Sequence, residues 1–95
     1  MGLLTSDEVT AALAEMPGWE REGDAITRQF SFDGGFMGSV GFINRVAEAA
    51  EAADHHPDLA ISWNHVTVTL STHSAGGITE KDIALAREAD RLAAG

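Results

Sequence analysis

The chain has no cysteine among its 95 residues. That removes disulfides, thiolate nucleophiles and cysteine-ligated zinc or iron–sulfur sites together. It also fits a reducing compartment, and a cytoplasmic location is the expectation. Basic residues are scarce: six Lys and Arg stand against fifteen Asp and Glu, a formal charge of −9 with histidines neutral. Attraction to a phosphate backbone rests on clustered Lys and Arg, so no direct nucleic-acid partner is expected. No stretch reaches the roughly 18 apolar residues of a membrane span, and the first residues lack the basic and apolar regions of a secretory signal. No Gly-x-Ser-x-Gly nucleophile elbow is present. Gly34-Gly35 and Gly76-Gly77 are isolated pairs, suited to loops and helix caps rather than to a phosphate cradle. Linkers, repeats and low-complexity segments are missing too, so residues 1–95 are expected to form a single domain.

What is there is a hydrophobic fraction of 44%, ordinary for a chain that folds around a core. So short a chain buries only about 60–70% of the surface it exposes when unfolded. Its core is thin, and association would add buried area.

The pattern of residues predicts seven elements. Thr5 and Glu8 stand at capping-box spacing, and Val9, Leu13 and Met16 then share one helical face until Pro17-Gly18 stops it. Trp19 to Arg21 reads as extended, with a turn at Glu22-Gly23-Asp24. From Ala25 to Phe32 the residues alternate, with Ile26, Phe30 and Phe32 on one side and Arg28 the exception on that side. Asp33 is the expected cap of a long helix from about Gly34 to Ala53, with Phe36, Val40, Ile43, Ala47 and Ala50 as its apolar stripe. Pro57 ends it. Leu59, Ile61 and Trp63 alternate on a third strand, Asn64-His65 is the expected turn, and Val66, Val68 and Leu70 alternate on a fourth. After Gly76-Gly77, Thr79 is the expected cap of a last helix, with Ile78 and Ile83 at the positions of a hydrophobic staple. The fold class expected is α+β: a four-stranded antiparallel sheet with three helices packed on one face, in the order α-β-β-α-β-β-α.

The histidines carry the chemistry. His55 and His56 stand where the long helix ends, and His73 where the fourth strand ends. Glu51 and Asp54 lie just upstream, and Glu51 would face His55 if the helix reached that far. Imidazoles beside carboxylates suit general acid and base work near neutral pH. Any one of these histidines taken singly fits a plain surface residue, and His65 in its turn is well served by that reading. Metal binding is the rival use of histidine with carboxylate. Adjacent residues point in different directions on a helix or strand, so His55 and His56 are poorly placed to share one ion, and no metal is expected.

Taken together, Asp54-His55-His56-Pro57-Asp58, the Val66 to Leu70 strand, Ser71-Thr72-His73 and Gly77-Ile78-Thr79-Glu80-Lys81-Asp82-Ile83-Ala84-Leu85-Ala86 resemble the signature of the pterin-4a-carbinolamine dehydratases. Gly18-Trp19 and Gln29-Phe30 extend the resemblance over nearly the whole chain. Leu59-Ala60 departs from it, standing where many relatives have a bulkier pair. The resemblance implies dehydration of 4a-hydroxytetrahydropterin to quinonoid dihydropterin, in recycling of the cofactor of aromatic amino-acid hydroxylases. It implies that His55, His56 and His73 are the catalytic histidines, with Glu51, Asp54, Ser71, Thr72 and Asp82 around the substrate. It implies no metal or organic cofactor, the pterin being the substrate, and a homodimer or homotetramer with a functional link to a pterin-dependent hydroxylase. A binding, coactivator or assembly module on the same fold is the alternative, against which the intact histidine trio speaks. Val66-Thr67-Val68-Thr69-Leu70 is uncharged and β-prone; at an open sheet edge it would invite aggregation, so pairing with a second subunit or deep coverage is expected, a place inside the sheet being the alternative.

Overall fold

A computed structural model describes residues 2–94 and has the element order expected. Helix α1 (Ser6–Ala14) starts at Thr5, whose hydroxyl accepts from the Glu8 N–H while the Glu8 carboxylate accepts from the Thr5 N–H. Both halves of the capping box are therefore made. Strands β1 (Glu20–Glu22) and β2 (Ala25–Ser31) form a hairpin. Helix α2 (Gly35–Ala53) crosses back, β3 (Asp58–Ser62) and β4 (His65–Leu70) form a second hairpin, and a 3₁₀ turn (His73–Ala75) leads to helix α3 (Glu80–Ala94). At the start of α3, Thr79 Oγ1 accepts from the Lys81 N–H at 3.2 Å, as a cap should.

All strand pairs are antiparallel, and the order across the sheet is β1-β2-β4-β3. The second hairpin thus lays β4 against β2 and leaves β3 outside. Ile26, Phe30, Val66, Val68 and Leu70 point to the helices and are buried. The opposite face carries Thr27, Gln29, Ser31, Thr67 and Thr69, none of them buried, with Thr27 and Thr69 hydroxyls 3.1 Å apart. One face packs and one is wet, as in most antiparallel sheets with helices on a single side.

Several expectations are corrected. The Val66–Leu70 strand is interior, paired on both sides, so its covering comes from β2 and β3 and needs no second subunit. Asp33 does not cap α2: the cap position is Gly34 and no side chain bonds there. Gly35, at φ +70°, bonds back to the Phe32 carbonyl, and this turn delays the helix by a residue. The buried stripe of α2 is Ser39, Phe42, Val46 and Ala50, whereas Phe36 and Ala47 are exposed and Val40 and Ile43 only half-buried. Apolar and small residues surround this helix, so their spacing fits more than one face. Finally, the β3–β4 turn is Trp63-Asn64, and His65 already pairs with Ser62 and Ser31.

Arg28, the exception on the buried face of β2, finds its partner 62 residues later. Its guanidinium donates to Asp90 of α3 at 2.8 Å and lies 4.5 Å from the centre of the Phe30 ring. The same Asp90 oxygen accepts from Trp19 Nε1 at 2.8 Å. A Cβ on Gly18, itself at φ +95°, would come within 2.7 Å of Arg28 Nε, so only glycine leaves room for this cluster. Asp90 therefore joins the last helix to the sheet and to the Trp19 turn. Asp90→Ala should cost about 1–3 kcal/mol, since it strands two donors. Urea unfolding followed by tryptophan fluorescence measures the loss. Glu15→Ala, which removes an exposed ion pair with Arg87 at 3.9 Å, should change stability by less than about 1 kcal/mol.

Candidate active site

Three distant segments meet around one carboxylate. Asp82 lies in the first turn of α3 with its side chain 0% exposed. Its Oδ1 is 2.5 Å from His55 Nε2, and its Oδ2 accepts from the Thr72 hydroxyl at 2.8 Å and from the Thr79 N–H at 2.9 Å. The Thr72 and Thr79 hydroxyls are 2.8 Å apart. A buried charge needs such a full set of partners. The sequence places it there for a local reason: Asp82 stands three residues after the Thr79 cap, where a carboxylate meets free backbone N–H groups and the positive end of the helix dipole. One oxygen serves that helix start, and the other reaches across to the end of α2.

His55 comes to this point because α2 stops short. Asp54 takes a left-handed conformation, φ 51°, and its N–H bonds back to the Ala50 and Glu51 carbonyls. The His55 N–H also bonds to Ala50 at 3.1 Å, and the ring turns inward. With Asp82 ionised, Nε2 carries the proton in that bond, and Nδ1 keeps the lone pair of the neutral ring. Among the described residues Nδ1 has no hydrogen-bond partner, and it is not among the sealed, unpaired polar atoms. It is thus the nitrogen open to another molecule.

The expected Glu51–His55 pair is not formed. Because the helix ends at Ala53, Glu51 meets His56 instead, at 2.5 Å between Oε2 and Nε2, in an exposed pair. His73 is exposed on the 3₁₀ turn, directly after buried Thr72. The His55 and His73 segments are thus tied together through Thr72 and Asp82, while His56 stands outside this network with Glu51. Asp54 is exposed at the helix end. Asp82 and Thr72, expected around the substrate, are buried and hold protein groups. Ser71 donates to the Asp24 carbonyl at 2.8 Å, since strand alternation turns it away from Thr72 toward the first hairpin.

His55 borders an open cleft of about 430 Å³ between α2 and α3. Its walls are mostly methyl groups, from Ala49, Ala52, Ala53 and Ala84, with Leu85. Lys81 and Glu88 supply charge at its rim. The size falls within the roughly 300–1,000 Å³ of small-molecule sites. The Arg91 hydrogen bond holds the Glu88 carboxyl below its ordinary range, and the two form an exposed ion pair on that side of the cleft. Neither charged residue stood out from the histidine pattern. Their seven-residue spacing, two helical turns apart with Ala84 between them, was the signal available.

Fold and site together define a small α+β protein with a carboxylate-held imidazole at the edge of an apolar cleft. Residues 2–92 match the family model of pterin 4 alpha carbinolamine dehydratase. Relatives assigned to that activity are 54% identical over 90 residues in Mycobacteroides abscessus, covering 95% of both chains, and 51% identical in Thermosynechococcus vestitus, covering 95% of this chain and 94% of the relative. The chain belongs to the pterin-4a-carbinolamine dehydratase family, whose named reaction is that of a hydro-lyase. A transcriptional coactivator/pterin dehydratase from Brucella melitensis matches in structure with a TM-score of 0.90 and 42% identity, over 95% of this chain and 97% of that one. A pterin dehydratase-like RuBisCO assembly factor of the alpha-carboxysome shares the fold, with a TM-score of 0.64 at 24% identity over 79% of this chain and 86% of that one.

The Asp82 network predicts a contrast in stability. Asp82→Ala leaves the Thr79 N–H, the Thr72 hydroxyl and His55 without their acceptor and should cost about 3 kcal/mol or more in urea unfolding. Glu51→Ala removes an equally short but exposed pair and should cost less than about 1 kcal/mol. Equal losses would contradict the difference in burial.

Proposed function

We propose that the chain dehydrates 4a-hydroxytetrahydropterin to quinonoid dihydropterin and water, returning the pterin to the cycle that serves aromatic amino-acid hydroxylases. The observation that carries this reading is His55, held through Nε2 by the fully buried Asp82 at the border of the cleft.

The reaction breaks the C4a–O bond and removes the proton on N5, and the two fragments leave as water. One group must accept the N5 proton, and another must protonate the departing hydroxide. Neutral His55 suits the first task, because its free Nδ1 is an acceptor and the Asp82 carboxylate stabilises the cation that forms. His73 is the second member of the acid–base pair, donating to the hydroxyl. It sits one residue from Thr72, so the Asp82 network fixes the segment that carries it. His56, paired with Glu51 on the surface, contacts substrate, and the Glu51 and Asp54 carboxylates accept from the amino-pyrimidine edge. Methyl-lined walls favour a flat heterocycle, and Asp82 and Thr72 act by holding His55. The chemistry needs only proton transfers, for which these side chains suffice without metal or organic cofactor.

The enzyme works in this reading as a cytoplasmic homodimer or homotetramer. Other bearers of the fold are named a coactivator and an assembly factor, and a purely binding role is the second reading. Turnover separates the two. In a coupled assay following loss of 4a-hydroxytetrahydropterin, the chain should be active, and His55→Ala or His73→Ala should lower turnover by roughly 10²–10⁴-fold. His65→Ala should change little, since His65 bonds Ser31 on the wet face of the sheet. Equal, small losses at all three positions would contradict the roles given.

A further inference from the structure

The chain carries six basic side chains, and five of them have a partner within the fold. Arg21 donates to the Gly23 carbonyl and the Ser6 hydroxyl, and Arg45 to the Leu92 carbonyl. Arg28, Arg87 and Arg91 pair with Asp90, Glu15 and Glu88. The sixth is Lys81. Among the described residues nothing accepts a hydrogen bond from its ammonium, although the chain holds fifteen acidic residues.

Lys81 also stands at the unfavourable end of its helix. The N-terminus of a helix carries partial positive charge, which favours acidic side chains in the first turn and disfavours basic ones. Glu80 and Asp82 follow that rule on either side of Lys81, which breaks it. A local preference broken with no compensating contact inside the protein is expected where function requires it. The backbone here is nonetheless firmly held: the Lys81 N–H donates to Thr79 Oγ1, and Thr79 bonds in turn to Thr72 and Asp82. The hub that orients His55 therefore also fixes the point from which Lys81 extends.

Two hollows open beside Lys81. One is the cleft of about 430 Å³ that His55 borders. The other is smaller, about 180 Å³, and lies against the turn that carries His73, bordered by Thr72, Ser74 and Ala75. Among the described residues Lys81 alone belongs to both walls. At the other end of the cleft Glu88 is already engaged by Arg91, so the charge left for a ligand is the Lys81 ammonium.

We infer that Lys81 is a substrate-binding residue, whose ammonium donates to the C4 carbonyl oxygen of the pterin and selects 4-oxo over 4-amino rings. This rests on the dehydratase reading. The 2-amino group and the N3–H of the ring are donors suited to the Glu51 and Asp54 carboxylates, whereas the C4 oxygen is an acceptor suited to a cation. That oxygen and N5 lie side by side across C4a, as Lys81 and His55 lie on one cleft. The hydroxyl leaves C4a, the atom between them, and the second hollow brings Lys81 beside the turn of His73. An ammonium next to the C4 oxygen opposes positive charge on N5, and so favours loss of the N5 proton to His55. A ring with an amino group at C4 would set donor against donor and leave the ammonium unpaired, which makes for strong rejection.

The test compares two ligands, 7,8-dihydropterin and 2,4-diamino-7,8-dihydropteridine, by isothermal titration calorimetry on the full chain. The native chain should bind the oxo ring about tenfold or more tightly than the amino ring, as a hydrogen bond to a charged group allows. Lys81→Met should abolish that preference, and Lys81→Arg should keep it. Arg87→Met, which removes an exposed cation of the same helix that does not border the cleft, should leave it unchanged. Urea unfolding of Lys81→Met should show no loss of stability, because a basic side chain in the first turn is unfavourable there. A destabilised Lys81→Met chain marks a structural role and overturns the inference. So does an unchanged preference in Lys81→Met while the native chain turns over 4a-hydroxytetrahydropterin, which leaves the dehydratase reading intact. A native chain that binds neither ring overturns the inference too, and if it is also inactive the dehydratase reading falls with it. A Lys81-dependent preference for the oxo ring without turnover supports the binding role and counts against the dehydratase reading alone.

Discussion

Everything around the cleft depends on one buried carboxylate. Asp82 is sealed from water, and the groups that compensate its desolvation come from three parts of the chain: the end of α2, the end of β4 and the start of α3. Burying a charge is unfavourable unless each lone pair is met, so the geometry that satisfies Asp82 is also the geometry that fixes His55. Stability and the placement of this imidazole share the same hydrogen bonds. A side chain that began as part of a helix cap is made to orient an imidazole by the left-handed turn at Asp54, which swings His55 inward.

Local rules account for much of what was legible in the residues. The Thr5–Glu8 box, the Glu22-Gly23-Asp24 turn, the alternation of Val66, Val68 and Leu70, and the Thr79 cap each need only neighbours within a few positions, and each is made. Their order led to the sheet and its covering helices. Sheet order was not legible, because nothing within Val66–Leu70 says whether one neighbour or two will flank it. On α2, apolar side chains and alanines encircle the helix, so periodicity found a flank a quarter-turn from the one the sheet selects.

At the site, the residue types were legible but not their partners. Glu51 and His55 have helical spacing, yet the helix stops two residues too early for it to apply, and His56 takes the carboxylate. Ser71 and Thr72 are neighbours in sequence and opposite in use: one reaches the Asp24 carbonyl, the other Asp82. Arg28 looked misplaced on an apolar face until Asp90 came into contact from the far end of the chain. These are pairings across tens of residues, which spacing alone cannot encode.

Both long-range anchors, Asp82 and Asp90, belong to the final helix, and β2 finds its inner neighbour only in β4. Contacts so distant in sequence make for slow, late closure in folding. On the ribosome, the first hairpin and α2 emerge with their sheet face uncovered, and no partial chain holds the complete core. The cleft takes shape only once α3 has docked, in the same step that seals the core. The placement of His55 is therefore a property of the closed fold, not of any one of its parts.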